Sequence, residues 1–173
     1  MYDIYSNSKD NAFRFSLGKE GKRKLFIIGL NPSTATREKS DITIAKVERV
    51  AKLNEYDGFA MLNLYPVRAT DYRALSSNKD SEAYYENLNL IERLISSERH
   101  AVIWAAWGQG ILKRAYFVDA FNELVKRLTP HQACWKHFGS LTQRGHPRHP
   151  SRLSYSWSFS LFDVICYARL LNA

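Results

Sequence analysis

The sequence predicts a three-layer α/β/α fold, with a mostly parallel central sheet of about four strands between two layers of helices. Short apolar runs of strand length alternate along the chain with amphipathic helical patterns. The apolar runs are continuous rather than alternating, which is typical of parallel strands buried on both faces. A length of 173 residues suits one domain of ordinary size. We therefore expect a single α/β domain over residues 1–173.

Four segments have the character of buried strands. Residues 24–29 (K-L-F-I-I-G) are short and apolar and end in glycine, and residues 58–64 (G-F-A-M-L-N-L) resemble them. Residues 101–106 (A-V-I-W-A-A) form the third segment, and residues 132–138 form the fourth. Because helical patterns separate these segments, βαβ units and a mostly parallel sheet are expected.

Helical periodicity fills the intervals between the predicted strands. Asp41 is a suitable N-cap for a helix that runs to about Tyr56. Two further helices each present a stripe of apolar residues spaced three or four apart: Tyr84, Leu88, Ile91 and Ile95 in one, and Phe117, Phe121, Leu124 and Leu128 in the other. The second of these ends at Pro130, and a final helix is predicted over residues 159–171.

Composition limits the class of partner. Hydrophobic residues make up 45% of the chain and no run reaches the roughly 18 residues of a membrane span, so we expect a cytoplasmic protein without a membrane partner. The formal charge of +8 suits a polyanion such as nucleic acid. Two cysteines are too few for a disulfide framework or a four-thiolate metal site. No cofactor, metal site or obligate protein partner is predicted.

Ligands of such folds bind beyond the carboxyl ends of the strands, and polar residues follow the first two predicted strands. The first turn, G-L-N-P-S-T-A at residues 29–35, combines a permissive glycine with the amide of Asn31. Asn63 ends the second strand within an apolar stretch, where an amide needs partners. The simpler alternatives are that Asn31 bonds local backbone and that Asn63 makes a core hydrogen bond.

Two more clusters lie near the ends of the third and fourth strands. Trp107 and Gly108 close the third strand, although most buried tryptophans belong only to the core. The loop at residues 142–154, T-Q-R-G-H-P-R-H-P-S-R-L-S, is rich in arginine, histidine and hydroxyl residues, which suits phosphate binding. The alternative is a solvated basic loop. His146 and His149 are three apart, but no Cys, Asp or Glu in the loop would complete a metal site.

These motifs resemble two families. The segments G-L-N-P-S-T-A, D-I-T, N-L-Y-P-V-R-A-T-D, A-A-W-G and G-H-P-R-H-P are similar to a bacterial and phage family, the domain of unknown function numbered sixteen forty-three. More distantly, G-L-N-P at residues 29–32, M-L-N at 61–63, A-W-G at 106–108 and H-P-S-R-L-S at 149–154 resemble, in order, the motifs of uracil-DNA glycosylases.

The second resemblance implies a glycosylase-like fold and roles for individual residues. Asn31 would orient the attacking water, and His149 would donate to the departing base. Base-binding residues would come from the first three motifs: Gly29, Pro32, Ser33, Asn63, Tyr65, Trp107 and Gly108. Ser151 and Ser154 would hold phosphates, with Arg148 and Arg152 beside them, and Leu153 would wedge into the space left by the flipped base.

The implied activity is hydrolysis of the N-glycosidic bond of a flipped, modified or unmodified base in DNA. Ser33 departs from the glycosylase pattern and implies a pocket for a different or larger base. Asn31 lacks the basicity of Asp, which implies slow chemistry or an easily departing base. The aromatic residue that stacks on the base is not evident, and Tyr65 and Phe59 are candidates. A catalytically silent nucleotide or nucleic-acid binding module, and a hydrolase of free nucleosides or nucleotides, are the alternatives.

Overall fold

The protein is an α/β fold built on a seven-stranded mixed sheet. The structure, a computed structural model, describes residues 1–173, apart from the side chain of Tyr72. The strands are β1 (Ile4–Asn7), β2 (Arg14–Lys19), β3 (Lys24–Gly29), β4 (Gly58–Asn63), β5 (Val102–Ala105), β6 (Cys134–Phe138) and β7 (Phe159–Leu161). The helices are α1 (Ile42–Leu53), α2 (Ser81–Ser96), α3 (Ala115–Leu128) and α4 (Val164–Leu171). The strand order is β1-β2-β4-β3-β5-β6-β7.

The four predicted strands form the parallel centre of this sheet. β3 pairs with β4 on one side and with β5 on the other, and β5 pairs with β6, all in parallel. β3, β4 and β5 each have a buried apolar run, which is why continuous hydrophobicity located them, whereas β6 is buried only at Trp135 and Phe138. The parallel register aligns Gly29 with Asn63, so the ends of β3 and β4 lie side by side.

The prediction of about four mostly parallel strands was wrong, because three further strands pair antiparallel at the flanks and make the sheet mixed. β2 pairs antiparallel with β4, β1 pairs antiparallel with β2, and β7 pairs antiparallel with β6. β1 has no buried residue and β7 has only three residues, two of them exposed, so neither carries a continuous apolar run. Residues 159–161, which were predicted as the start of the last helix, are therefore strand, and α4 begins only at Val164, capped by Asp163.

Helices cover both faces of the sheet. On one face α1 packs Ile44, Val47 and Val50 against Leu25, Ile27 and Met61 of the sheet. On the other face α2, α3 and α4 cover Phe26, Ile28 and Leu62, as their shared apolar cluster shows. The alternation along β3 and β4 divides the two cores: odd-numbered residues face α1 and even-numbered residues face the other three helices.

Among the residues that the structure describes, no helix has both the length and the apolar composition that a membrane crossing requires.

Candidate functional site

A cavity of about 310 Å³ lies at the carboxyl end of β3, on the α1 side of the sheet. Its size is at the lower end of the range of small-molecule pockets, about 300–1,000 Å³. The turn after β3, the start of α1, the segment after β4 and the loop before Leu153 surround it. Its lining residues are Arg14, Leu30, Asn31, Ser33, Asp41, Thr43, Ile44, Met61, Ala69, Thr70, His149 and Ser151.

Asn31 reaches this cavity with its amide held in one orientation. Its Nδ2 donates to the backbone oxygens of Ala69 at 2.8 Å and Pro32 at 3.1 Å. The NH₂ group is thus occupied by local backbone, and Oδ1 remains as a hydrogen-bond acceptor. The alternative of local backbone bonding is correct for one half of the amide, while the other half is available to a ligand.

His149 reaches the same cavity from the opposite end of the chain. Its Nδ1 accepts from the hydroxyl of Ser151 at 2.8 Å and from the backbone N–H of Ser151 at 3.2 Å. A ring nitrogen that accepts an N–H carries no proton, so Nε2 carries it and acts as the donor. Burial, with help from the charges of Arg152 and Lys46, lowers the pKa of His149 to about 4, against the opposing effect of Asp41. At neutral pH the ring is therefore an uncharged donor.

Asn63 lies beside the cavity and its amide has no partner. The side chain is 1% exposed, and neither Nδ2 nor Oδ1 makes a hydrogen bond within the described residues. It shares a face of β4 with Met61, which lines the cavity, and its Oδ1 would lie 2.8 Å from a Cβ at Gly29. A buried amide without partners is costly. The core hydrogen bond, which was the simpler alternative, is absent within the described residues, and Asn63 itself does not line the cavity.

Asp41 is a site residue that sequence reasoning recognised only as a helix cap. Its Oδ1 accepts from the backbone N–H of Ile44 at 2.9 Å, which caps α1, and its Oδ2 accepts from the N–H of Ala35 at 3.2 Å. The same carboxylate lines the cavity, where it is the only acidic group among the described lining residues. Arg14, Thr43 and Thr70 were also missed. The D-I-T motif contains Thr43 and the N-L-Y-P-V-R-A-T-D motif contains Thr70, whereas no motif pointed to Arg14.

A second cleft, of about 240 Å³, lies on the other side of the His149 loop. His149 and Ser151 line both spaces, so this loop separates them. The remaining lining residues of the cleft are Gln109, Thr142, Arg148 and Arg152. Lys46 of α1 fixes the loop by donating to the backbone oxygen of Ser151 at 2.6 Å. The predicted phosphate-binding residues Arg148, Ser151 and Arg152 are thus brought together.

Several predicted site residues lie outside both spaces. Tyr65 belongs to the core on the other face of the sheet, where its ring packs on Tyr116 and its hydroxyl accepts from the N–H of Asp80 at 2.7 Å. Phe59 packs on Tyr2 under α1, away from the cavity. The structure brings neither candidate stacking residue to the ligand side, because strand alternation or core packing directs both rings elsewhere.

The residues predicted from the last two motifs have supporting or separate positions. Gly108 has φ of +67°, and a Cβ there would come within 3.3 Å of the His149 Cβ, so glycine allows this close approach. Pro32, from the first motif, is buried. Leu153 packs partly buried against the core, and the hydroxyl of Ser154 pairs with that of Ser156.

Trp107 and His146 form a buried network with Tyr167. The Trp107 Nε1–H donates to the hydroxyl of Tyr167 at 3.1 Å, and that hydroxyl pairs with Nδ1 of His146 at 2.8 Å. His146 is 5% exposed, and burial lowers its pKa. Trp107 therefore belongs to the supporting frame. Within the side chains described, no group of three or more His, Cys, Asp or Glu could hold a metal ion.

Comparison with known proteins identifies a family for the chain. Neither a curated protein nor a solved structure matches the sequence. One family model matches residues 14–151, which include the turn after β3, Asp41, the end of β4 and the loop that carries His149. The chain therefore belongs to the family described as Protein of unknown function (DUF1643).

Proposed function

We propose that the protein hydrolyses the N-glycosidic bond of a nucleotide unit in DNA, with the base flipped into the cavity at the end of β3. The observation that carries the proposal is that Asn31 and His149, which are far apart in the sequence, line one cavity. Beside them, Asn63 presents a buried amide without partners. The distant resemblance to uracil-DNA glycosylases, whose motifs occur in the same order, supports the same reaction.

The reaction needs two kinds of stabilisation. Cleavage builds positive charge on the sugar, while the electron pair of the broken C1′–N bond moves to the base. A neutral His149 Nε2–H, fixed by the two contacts at Nδ1, suits a donor to the base oxygen on which this charge develops. Because such a donor is already oriented, it stabilises the transition state without reorganisation.

The attacking water requires a hydrogen-bond acceptor and a base. The free Oδ1 of Asn31 can accept from the water and orient it, but an amide cannot take up its proton. Asp41 is the carboxylate of the same cavity, and it is the candidate for that role. In this scheme the water oxygen bonds to C1′, the base leaves with the bonding electrons, and the water proton passes to Asp41.

Recognition of the base is assigned to Asn63. An amide offers one acceptor and one donor group, the pattern that matches the edge of a pyrimidine or purine. Both groups are free and Asn63 is buried, so a matching base would satisfy them and a mismatched base would leave them unpaired. Backbone phosphates would lie in the second cleft, which Arg148 and Arg152 line.

The experiment is a screen for base release from oligonucleotides that carry uracil, deaminated, alkylated and hypermodified bases. The purified protein should release at least one base without added metal, and Asn31→Ala, His149→Ala and Asp41→Asn should abolish the release. His131→Ala is the matched control, because His131 is exposed beyond the end of α3. Release that persists in the Asn31→Ala and His149→Ala variants would overturn the mechanism.

Hydrolysis of a free nucleotide is the second candidate, and the position of Leu153 favours it. That side chain packs against the core instead of projecting as a wedge. Turnover of a free nucleotide needs no wedge, so Leu153→Ala would leave it unchanged. If base release from duplex DNA falls sharply in Leu153→Ala, the DNA reading is supported over this alternative.

A further inference from the structure

Arg14 is a buried cation at the cavity that has no partner of opposite charge. Its side chain comes from β2 and is 2% exposed, although it lines the cavity. Its Nη1 donates to the backbone oxygen of Ala35 at 3.1 Å, and its Nε has no hydrogen-bond partner. Within the described residues it forms no ion pair with a carboxylate. Burial of an unpaired charge costs folding free energy unless a ligand of opposite charge pairs with it.

A second guanidinium, that of Arg68, lies beside the first. Its Nη1 donates to the backbone oxygens of Ala35 at 2.8 Å and Ser33 at 3.0 Å, so Arg14 and Arg68 share the Ala35 carbonyl. Its Nη2 donates to the hydroxyl of Tyr5 at 2.9 Å, and its Nε is also without a partner. Two cations that converge on one carbonyl repel each other. Burial and this repulsion lower the pKa of Arg14 to about 10, which still leaves it protonated at neutral pH.

The local charge does not balance. Asp41 acts on Arg14 through space, but both of its oxygens already accept backbone N–H groups. With His149 uncharged at neutral pH, two guanidiniums face one carboxylate, and the group is one positive charge in excess. An anionic ligand group in the cavity would supply the missing charge and give acceptors to the free N–H groups.

We propose that this wall of the cavity is a phosphate site, in which Arg14 with the neighbouring Arg68 binds a phosphate group of the ligand. The hydroxyls of Ser33, Thr43 and Thr70 line the same space and can donate to the remaining phosphate oxygens. The apolar side chains of Leu30 and Met61 line it as well and suit a base or sugar. That the phosphate belongs to a nucleotide rests on the proposed function.

The first test uses inorganic phosphate and does not depend on catalysis. Phosphate should raise the melting temperature of the wild-type protein in a concentration-dependent way, beyond the effect of chloride at equal ionic strength. Arg14→Gln should weaken phosphate binding by about tenfold or more, the loss expected for one charged double contact. Arg23→Gln is the matched control. Arg23 is exposed and directly precedes β3, at the end of that strand opposite to the cavity.

A variant that keeps the charge separates binding from folding. Arg14→Lys should fold, since it retains the cation, yet it should bind phosphate several-fold more weakly because the guanidinium fork is lost. Equal effects of phosphate and chloride on the wild-type protein, or undiminished phosphate binding in both Arg14 variants, would overturn the proposal. Base release could still occur in that case, so the failure of this inference is distinguishable from failure of the proposed function.

A second comparison identifies the source of the phosphate. Binding of a deoxynucleoside, its 5′-monophosphate and a short oligonucleotide is measured for wild type and Arg14→Gln. If the free monophosphate binds more tightly than the nucleoside and loses this advantage in Arg14→Gln, the site takes a free nucleotide. If only oligonucleotide binding weakens in Arg14→Gln, the site takes a backbone phosphate. No difference between wild type and variant for any of the three ligands would contradict the phosphate site.

Discussion

The amide of Asn63 lies against the backbone of Gly29, so close that a Cβ at position 29 would be 2.8 Å from Asn63 Oδ1 and 2.5 Å from Met61 Cε. The two residues are partners in the parallel register of β3 and β4. The glycine therefore makes room for a polar side chain at the end of the central strands, next to the cavity.

Gly29→Ala should displace Asn63 and Met61 and narrow the cavity. We expect a loss of about 1–3 kcal/mol in the free energy of unfolding, as for overpacked core sites, together with loss of ligand binding. Urea unfolding and the phosphate titration measure the two effects. Gly145→Ala is the control for the cavity: a Cβ there meets nothing within 4 Å, so its φ of +79° should cost stability while ligand binding is kept. Equal ligand binding in Gly29→Ala and wild type would show that this close contact does not shape the site.

Asp41→Asn should separate the two roles of Asp41. Asparagine also caps helices well, so the cap on Ile44 is kept, but its NH₂ group cannot accept from the Ala35 N–H, and the unfolding free energy should fall by about 1–3 kcal/mol. Asp41→Ala removes the cap as well and should cost about 0.5–2 kcal/mol more. Base release should be lost in both variants if Asp41 accepts the water proton. Full activity of Asp41→Asn would exclude the carboxylate as the base.

The lowered pKa of His149 predicts a dependence of stability on pH. Because the folded protein holds this ring uncharged down to about pH 4, while the unfolded chain takes up a proton near 6.5, stability should fall as pH falls from 6.5 towards 4. His149 is only partly buried, so we expect its share to be about 1–2 kcal/mol. Urea unfolding at pH 7 and pH 4.5 should therefore show a smaller pH effect in His149→Asn than in wild type.

The matched comparison for this effect is His146→Asn. Burial also lowers the pKa of His146, so each variant should remove only its own contribution to the pH slope. His149→Asn with the full wild-type slope would mean that His149 is not held neutral by the fold.

The second cleft predicts a salt-dependent contribution to DNA binding. Arg152→Ala should weaken oligonucleotide binding and reduce the slope of log K against log salt concentration by about 0.7–0.9, the value for one lost phosphate contact. Arg99→Ala removes the same charge just before β5, at the amino ends of the parallel strands and away from the cleft, and should leave the slope unchanged. Identical slopes for wild type and Arg152→Ala would remove the cleft from the binding surface.

The parallel centre of the fold was predictable because β3, β4 and β5 carry continuous buried apolar runs. The strand at residues 24–29 was predicted with its observed bounds, and the N-cap at Asp41 fixed the start of α1 within one residue. The flanking antiparallel strands were not predictable in the same way. β1 is only partly buried and β7 is mostly exposed, so their formation depends on pairing with β2 and β6, which the local sequence does not encode.

The candidate site was anticipated only where its residues follow recognisable strands or motifs. Asn31, Ser33, His149 and Ser151 do, and they line one cavity. Arg14 belongs to a strand that the apolar pattern did not reveal, and nothing local distinguishes it among the 25 lysines and arginines. Its significance comes from burial without a counter-charge, a property of three-dimensional packing.

The hydroxyl of Tyr167 links helix α4 by hydrogen bonds to Trp107, just after β5, and to His146 in the loop at residues 142–154. Tyr167 lies beyond residue 151, where the family match ends, so the geometry of the matched segment depends on a contact from outside it. Exchange of α4 between relatives should therefore change the geometry of residues 142–154 without altering any residue that lines the two spaces.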